Sequence, residues 1–146
     1  MTTHETALTT VAHTIQLSVA PVFLLTALGT FLGVLSTRLG RIVDRARAVR
    51  ERLRGAAAAD KPPLHSELDL LRRRRHLVNM AITCGVAAAL LVCAIISALF
   101  LGSILTANVS TLAAVLFVGA MLAFTAALLL FLREILMAVA NVTFDH

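Results

Sequence analysis

The residues of this chain that are able to do chemistry are mostly arginines, and nearly all of them lie in one segment. Twelve of the thirteen Lys and Arg residues fall between positions 38 and 75, and the thirteenth is Arg133. Such a segment attracts anionic lipid headgroups when it lies beside a membrane. We single out one basic surface, formed by Arg38, Arg41, Arg45, Arg47, Arg72, Arg73, Arg74 and Arg75.

Acidic residues are interleaved with these bases at helical spacing. Asp44 lies three residues from Arg41 and Arg47, and Glu51 lies four residues from Arg47, so ion pairs are possible for both acids. Glu134 is a further candidate partner for an arginine of this segment. Residues 38–76 keep a net charge of +7, from twelve cations and five acids. We expect a solvated surface facing anionic headgroups of the inner leaflet, or a docking face for a protein partner.

Catalytic and metal-binding chemistry find little support. No G-x-S-x-G, H-E-x-x-H or phosphate-binding-loop motif occurs in the sequence. Nucleic-acid binding is disfavoured because residues 38–76 contain no aromatic side chain for base stacking. We expect no enzyme activity, no cofactor, no metal and no nucleic-acid partner. The five histidines lack metal-ligand spacing and are His4, His13, His65, His76 and His146.

The elements that position the arginines are long apolar runs. Hydrophobic residues make up 59% of the 146 residues, and the mean hydropathy is +0.90. A helix of about 20 apolar residues crosses the hydrocarbon core. The runs predict an all-α integral membrane protein with three transmembrane helices, at 15–36, 77–105 and 112–132. No Asp, Glu, Lys or Arg occurs within these three runs, which disfavours an ion-coupled transporter.

The position of the cations predicts the orientation. No cation precedes the first run, and none lies between the second and third. Because short loops rich in Lys and Arg stay in the cytoplasm, the N-terminus should be outside and the C-terminus inside. The predicted external segments are 1–14 and 106–111, and the predicted cytoplasmic segments are 37–76 and 133–146.

Residues 37–76, which we call the basic hairpin, carry helical apolar spacing. One apolar stripe on its first helix consists of Leu39, Ile42, Val43, Ala46, Val49 and Leu53. A second, shorter stripe consists of Leu64, Leu68 and Leu71. Gly55 should end the first helix, and AAAADKPP should form the turn because Pro62 and Pro63 do not continue a helix. The pattern predicts a cytoplasmic helical hairpin that extends spans 1 and 2. Beyond Arg133, either the third helix continues beside this hairpin or the chain lies along the inner interface.

Five small residues follow one another at spacings of three and four in span 1. This small-residue face is Thr26, Gly29, Gly33, Ser36 and Gly40. Small faces let helix backbones approach closely in lipid. The face either packs against span 2 or span 3 of the same chain, or it lies between subunits or along a pore. The hydroxyls of Thr26, Thr30 and Thr37 can donate hydrogen bonds to their own helix.

The blocks IQLSVAPVFLLTALGTFLGVLSTRLGRIVDRAR and LRRRRHLVNMAI resemble the bacterial membrane family catalogued as domain of unknown function 2721. The third run, ending in FLREI, is similar as well, so the resemblance covers roughly residues 14–136. It implies a small three-span protein of the bacterial inner membrane with its basic segments in the cytoplasm. It implies no activity, substrate or catalytic residue.

Two functions remain open from the sequence. One is a homo-oligomeric channel or pore with span 1 near the axis and an arginine-rich cytoplasmic vestibule. The other is a non-conducting membrane scaffold or regulator whose basic hairpin binds anionic lipid or a partner protein. Three helices alone are too few to enclose a solute path, so conduction requires a ring of subunits.

Overall fold

The computed structural model describes residues 2–105 and 109–142. Their elements are three α-helices, α1 (Thr2–Gly55), α2 (Lys61–Leu105) and α3 (Ser110–Val142), with a 3₁₀ turn at Ala58–Asp60. The predicted external loop and the two termini are described only in part, because residues 1, 106–108 and 143–146 lie outside the described residues.

The predicted three apolar helices are confirmed. Each helix contains a stretch long and apolar enough to cross a membrane, at Val19–Gly55, Ala58–Gly102 and Ser110–Ala140. At about 1.5 Å per residue, the 54 residues of α1 extend over ~80 Å, well beyond the ~30 Å hydrocarbon core. The helix begins at Thr2, upstream of the expected span, and continues through Pro21. The apolar run therefore passes into the arginines without a break in the helix.

The turn between α1 and α2 is shorter than expected. Gly55 is the last residue of α1, as its low helix propensity predicts. The N–H of Asp60 donates to the carbonyl of Ala57 at 3.1 Å, which closes the 3₁₀ turn. We expected Pro62 and Pro63 to lie in the connection between the helices. They lie instead in the first helical turn of α2. Proline is tolerated there because the first N–H groups of a helix have no partner within it.

Among the described residues, one compact unit consists of 2–31, 85–105 and 109–125. Its buried core is formed by Leu28 from α1, Ala88 and Val92 from α2, and Ala120 from α3. The rings of Phe31 and Phe124 pack edge-to-face with centroids 5.6 Å apart. The small side chains of Ala88 and Ala120 allow the helix backbones to approach closely. In lipid, such close packing stabilises helix association in place of the hydrophobic effect that acts in water.

Among the described residues, the second compact unit consists of 32–84 and 126–142. Its buried side chains include Leu35, Ile42 and Val49 of α1, at seven-residue spacing. The predicted stripe in the basic hairpin is therefore confirmed at Ile42 and Val49. On α3 the spacing of seven leads from buried Ala127 to buried Glu134, so a carboxylate occupies a core position.

Many large apolar side chains are exposed. Phe23 is 71% exposed, Leu122 66% and Ile104 77%. In the most apolar stretch of α3 only 11% of the residues are buried within the chain. Exposure of this kind on long helices is what a lipid environment stabilises and water does not.

Candidate functional site

Glu134 is fully buried, and two arginines from the other two helices bind its carboxylate. Nη1 of Arg38 donates to Oε2 at 2.7 Å. Arg74 donates to Oε1 through Nη2 at 2.7 Å and through Nε at 3.2 Å. We call these three residues the arginine–glutamate cluster. Short bonds between ionised groups are among the strongest hydrogen bonds in proteins, and a buried carboxylate requires them.

Each member of the cluster is placed by the helix that carries it. Arg38 is the first cation after the apolar run of α1, and its guanidinium carbon lies 5.2 Å from the ring centroid of Phe131. Arg74 is 23% exposed at the side chain, whereas its neighbours Arg73 and Arg75 are exposed. The apolar stripe of α2 includes buried Leu71 and Val78 and sets the rotation that brings Arg74 inward.

A cavity of about 340 Å³ lies against the cluster and is strongly basic. Arg41 and Arg45 line it together with the three cluster residues, and Ile42 and Leu71 supply apolar wall. We call this cavity the arginine pocket. Arg45 also pairs with Glu67, which lies outside the lining, at 2.6 Å. Four guanidinium charges are thus opposed by two carboxylates, which leaves a positive excess.

The remaining predicted basic residues do not join this pocket. Arg47, Arg72, Arg73 and Arg75 are exposed. Arg72 and Arg73 line a separate depression with His76, Leu77, Arg133 and Met137. The Arg72–Asp69 pair is 3.7 Å apart and about 70% exposed on both sides, so it contributes little stability.

The predicted acidic partners differ in outcome. Glu134 pairs with two arginines, Arg38 of α1 and Arg74 of α2. Asp44 and Glu51 are exposed, and the ion pairs found among residues 2–105 and 109–142 do not include them. An acid that we did not predict as a partner, Glu67 of α2, pairs with Arg45 of α1. Spacing along one helix did not indicate this contact between two helices.

The small-residue face is exposed along α1. Thr26, Gly29, Gly33, Ser36 and Gly40 are all exposed, and a Cβ added to any of the three glycines would meet no atom within 4 Å. Packing of this face against span 2 or span 3 of the same chain, one of our two interpretations, is therefore wrong for the glycines. The predicted local bonds are confirmed, since Thr26, Thr30 and Thr37 donate to carbonyls four residues earlier at 3.0–3.2 Å.

Metal and thiol chemistry are not apparent in the part of the chain that the structure describes. No group of three His, Cys, Asp or Glu side chains there is arranged to hold a metal ion. Cys84 and Cys93 form no disulfide with each other.

The three long apolar helices indicate a multi-pass membrane protein. The chain belongs to the family described as protein of unknown function DUF2721, whose sequence pattern matches residues 18–144. The resemblance noted in the sequence is therefore correct. No curated protein and no solved structure matches the chain.

Proposed function

We propose that the protein is a subunit of a homo-oligomeric, non-enzymatic membrane protein that conducts ions. In this proposal α1 lies near the axis of a ring in a bacterial inner membrane, with the N-terminus outside. The basic hairpin and the C-terminus lie in the cytoplasm, where the arginines form a positive vestibule that favours anions.

The observation that carries this proposal is the unoccupied small-residue face. Gly29, Gly33 and Gly40 have open space where a side chain would be, so the chain gains nothing from these glycines within its own fold. Glycine within a helix costs roughly 0.5–1 kcal/mol relative to alanine. A second copy whose helix approaches closely would use that space. This supports self-association through α1.

Conduction is the step beyond self-association. A single chain has too few helices to enclose a path, whereas a ring with α1 inward would form one. None of the ion pairs found among the described residues includes Arg41, Arg47 or Arg50. All three arginines are exposed on α1. They would lie around the inner mouth of such a ring.

The test combines subunit number with current. Native mass spectrometry of the protein in maltoside or nanodiscs should give one ring of four or more subunits. Reconstituted bilayers should then carry a current that Gly33→Leu blocks without dissociating the ring. Ala27→Leu is the matched control, because Ala27 is exposed on another side of the same helix. A monomer or dimer would refute the pore.

A second candidate function is a non-conducting scaffold or regulator that binds anionic lipid or an unidentified protein partner. The exposure of Arg72, Arg73 and Arg75 favours it. Charge reversal at these three residues should abolish the partner interaction while the assembly of the membrane helices persists. Arg74 must be left intact in that variant, because a carboxylate at position 74 would be placed against buried Glu134.

A further inference from the structure

We infer that the arginine pocket is a specific binding site for a phosphate group, carried either by an anionic phospholipid or by a small phosphorylated solute. The site lies within a single chain, so the inference does not rest on conduction or on subunit number. The basic surface as a whole attracts anions without a defined geometry. The arginine pocket, in contrast, would bind one phosphate group through Arg38, Arg41 and Arg74.

The first argument is that Glu134 orients the donors but does not saturate them. A guanidinium has five N–H donors in a fixed plane. Glu134 takes one donor of Arg38 and two of Arg74, and both arginines still line the cavity. Arginines held in this way have already lost much of their side-chain freedom, so binding an anion costs less entropy.

The second argument is the charge balance. Arg41 lines the pocket, and it takes part in none of the ion pairs found in the described part of the chain. Arg38 and Arg74 share one carboxylate, and Arg45 has Glu67. Two positive charges therefore have no carboxylate partner. They balance a phosphomonoester, which carries about −2 near neutral pH, and they exceed the single negative charge of a phospholipid phosphodiester.

The third argument is the size and the wall of the cavity. Its volume of about 340 Å³ lies at the lower end of the ~300–1,000 Å³ typical of ligand pockets. Ile42 and Leu71 give it an apolar side next to the arginines. A headgroup phosphate with attached carbon atoms fits such a mixed surface better than a bare halide ion does.

The experiment uses the full chain in a maltoside detergent, which contains no phosphate. Native mass spectrometry measures bound phosphatidylglycerol, with phosphatidylcholine as the zwitterionic comparison, and a parallel titration follows inorganic phosphate by thermal shift. Arg41→Gln is the test variant, because removal of the Arg41 guanidinium leaves the arginine–glutamate cluster intact. Arg50→Gln is the control, since it removes the same charge from an exposed position on the same helix.

We expect Arg41→Gln to weaken binding by about tenfold, the effect of one charge-assisted hydrogen bond, and Arg50→Gln to weaken it by less than about twofold. Arg41-dependent binding of phosphatidylglycerol alone identifies a lipid site. Arg41-dependent binding of inorganic phosphate identifies a site for a soluble phosphate. Equal effects of the two variants, or no binding in either arm, would overturn the inference. The same spectra count subunits, so a monomer that binds phosphate would refute the pore and leave this site standing.

Discussion

Glu134 accepts a hydrogen bond from Arg38 at 2.7 Å, although 96 residues separate the two along the chain. The carboxylate is fully buried, and its other oxygen is bound by Arg74. Segments from three helices are therefore joined at one acidic side chain. The hydrophobic core of the described residues is formed by alanine and branched aliphatic side chains. We expect this cluster to help fix the rotation and register of the three helix segments that carry it.

Neutralising Glu134 should destabilise the protein strongly. Glu134→Gln keeps the shape of the side chain but leaves two arginines without their counter-charge. Removing one partner of a buried ion pair costs about 3–5 kcal/mol, and we expect about 3 kcal/mol because the Arg38 side chain is 37% exposed. Denaturant unfolding in detergent measures this change. Glu51→Gln, at an exposed position, should change stability by less than about 0.5 kcal/mol. Equal losses in the two variants would contradict the role of the cluster.

Replacing Arg74 by lysine should be more harmful than the same change at Arg75. Arg74 binds Oε1 of Glu134 through two nitrogens of its planar group, and lysine has only one ammonium. We expect Arg74→Lys to cost about 1.5–3 kcal/mol of unfolding free energy, the value of a hydrogen bond to a charged group. Arg75 is exposed, so Arg75→Lys should be close to neutral. Similar melting temperatures for the two variants would show that the two-nitrogen contact does not matter.

A methyl group at Gly102 should be harmful, whereas one at Gly29 should not. An added Cβ at Gly102 would overlap the side chain of Val109, and overpacking costs typically about 1–3 kcal/mol. Gly29 has open space at that position, so Gly29→Ala should leave the isolated chain unchanged or stabilise it by about 0.5–1 kcal/mol. Thermal unfolding compares the two variants. The double variant Gly102→Ala/Val109→Ala should regain stability, and failure to do so would place the strain elsewhere.

Labelling of introduced cysteines should locate the two loops on opposite sides of the membrane. In a background with Cys84→Ser and Cys93→Ser, Thr111→Cys should react with an impermeant maleimide in intact cells. Ala58→Cys, in the turn of the basic hairpin, should react only after the membrane is opened. Both positions are exposed in the structure. Reaction of both cysteines after the membrane is opened establishes that each thiol is accessible, so that a lack of reaction in intact cells reports the side of the membrane. The reverse pattern would contradict the orientation that the arginines predict.

The sequence predicted the helices well because apolar runs and cation positions are local features. The three spans and the end of α1 at Gly55 follow from composition and glycine alone. The placement of Pro62 was wrong because proline is excluded from helix interiors but not from the first turn.

The site could be predicted only in part. That Glu134 faces inward is visible in the sequence afterwards, since it follows Ala120 and Ala127 at the seven-residue spacing of a core position. Which arginines it meets depends on the rotation and relative height of three helices, and no local pattern specifies these. The same limit explains why the pairing of Glu67 with Arg45 was not predicted.

The order of synthesis gives the arginine–glutamate cluster a further consequence. Arg38 and Arg74 leave the ribosome before Glu134, which follows Arg74 only after 60 more residues. In the topology that we predict, both arginines therefore lack this counter-charge while spans 1 and 2 are inserted, when positive charge decides orientation. The carboxylate arrives with the last helix and binds both of them. The residues that we predict to direct insertion of the nascent chain are thus the same residues that later bind α3 through Glu134.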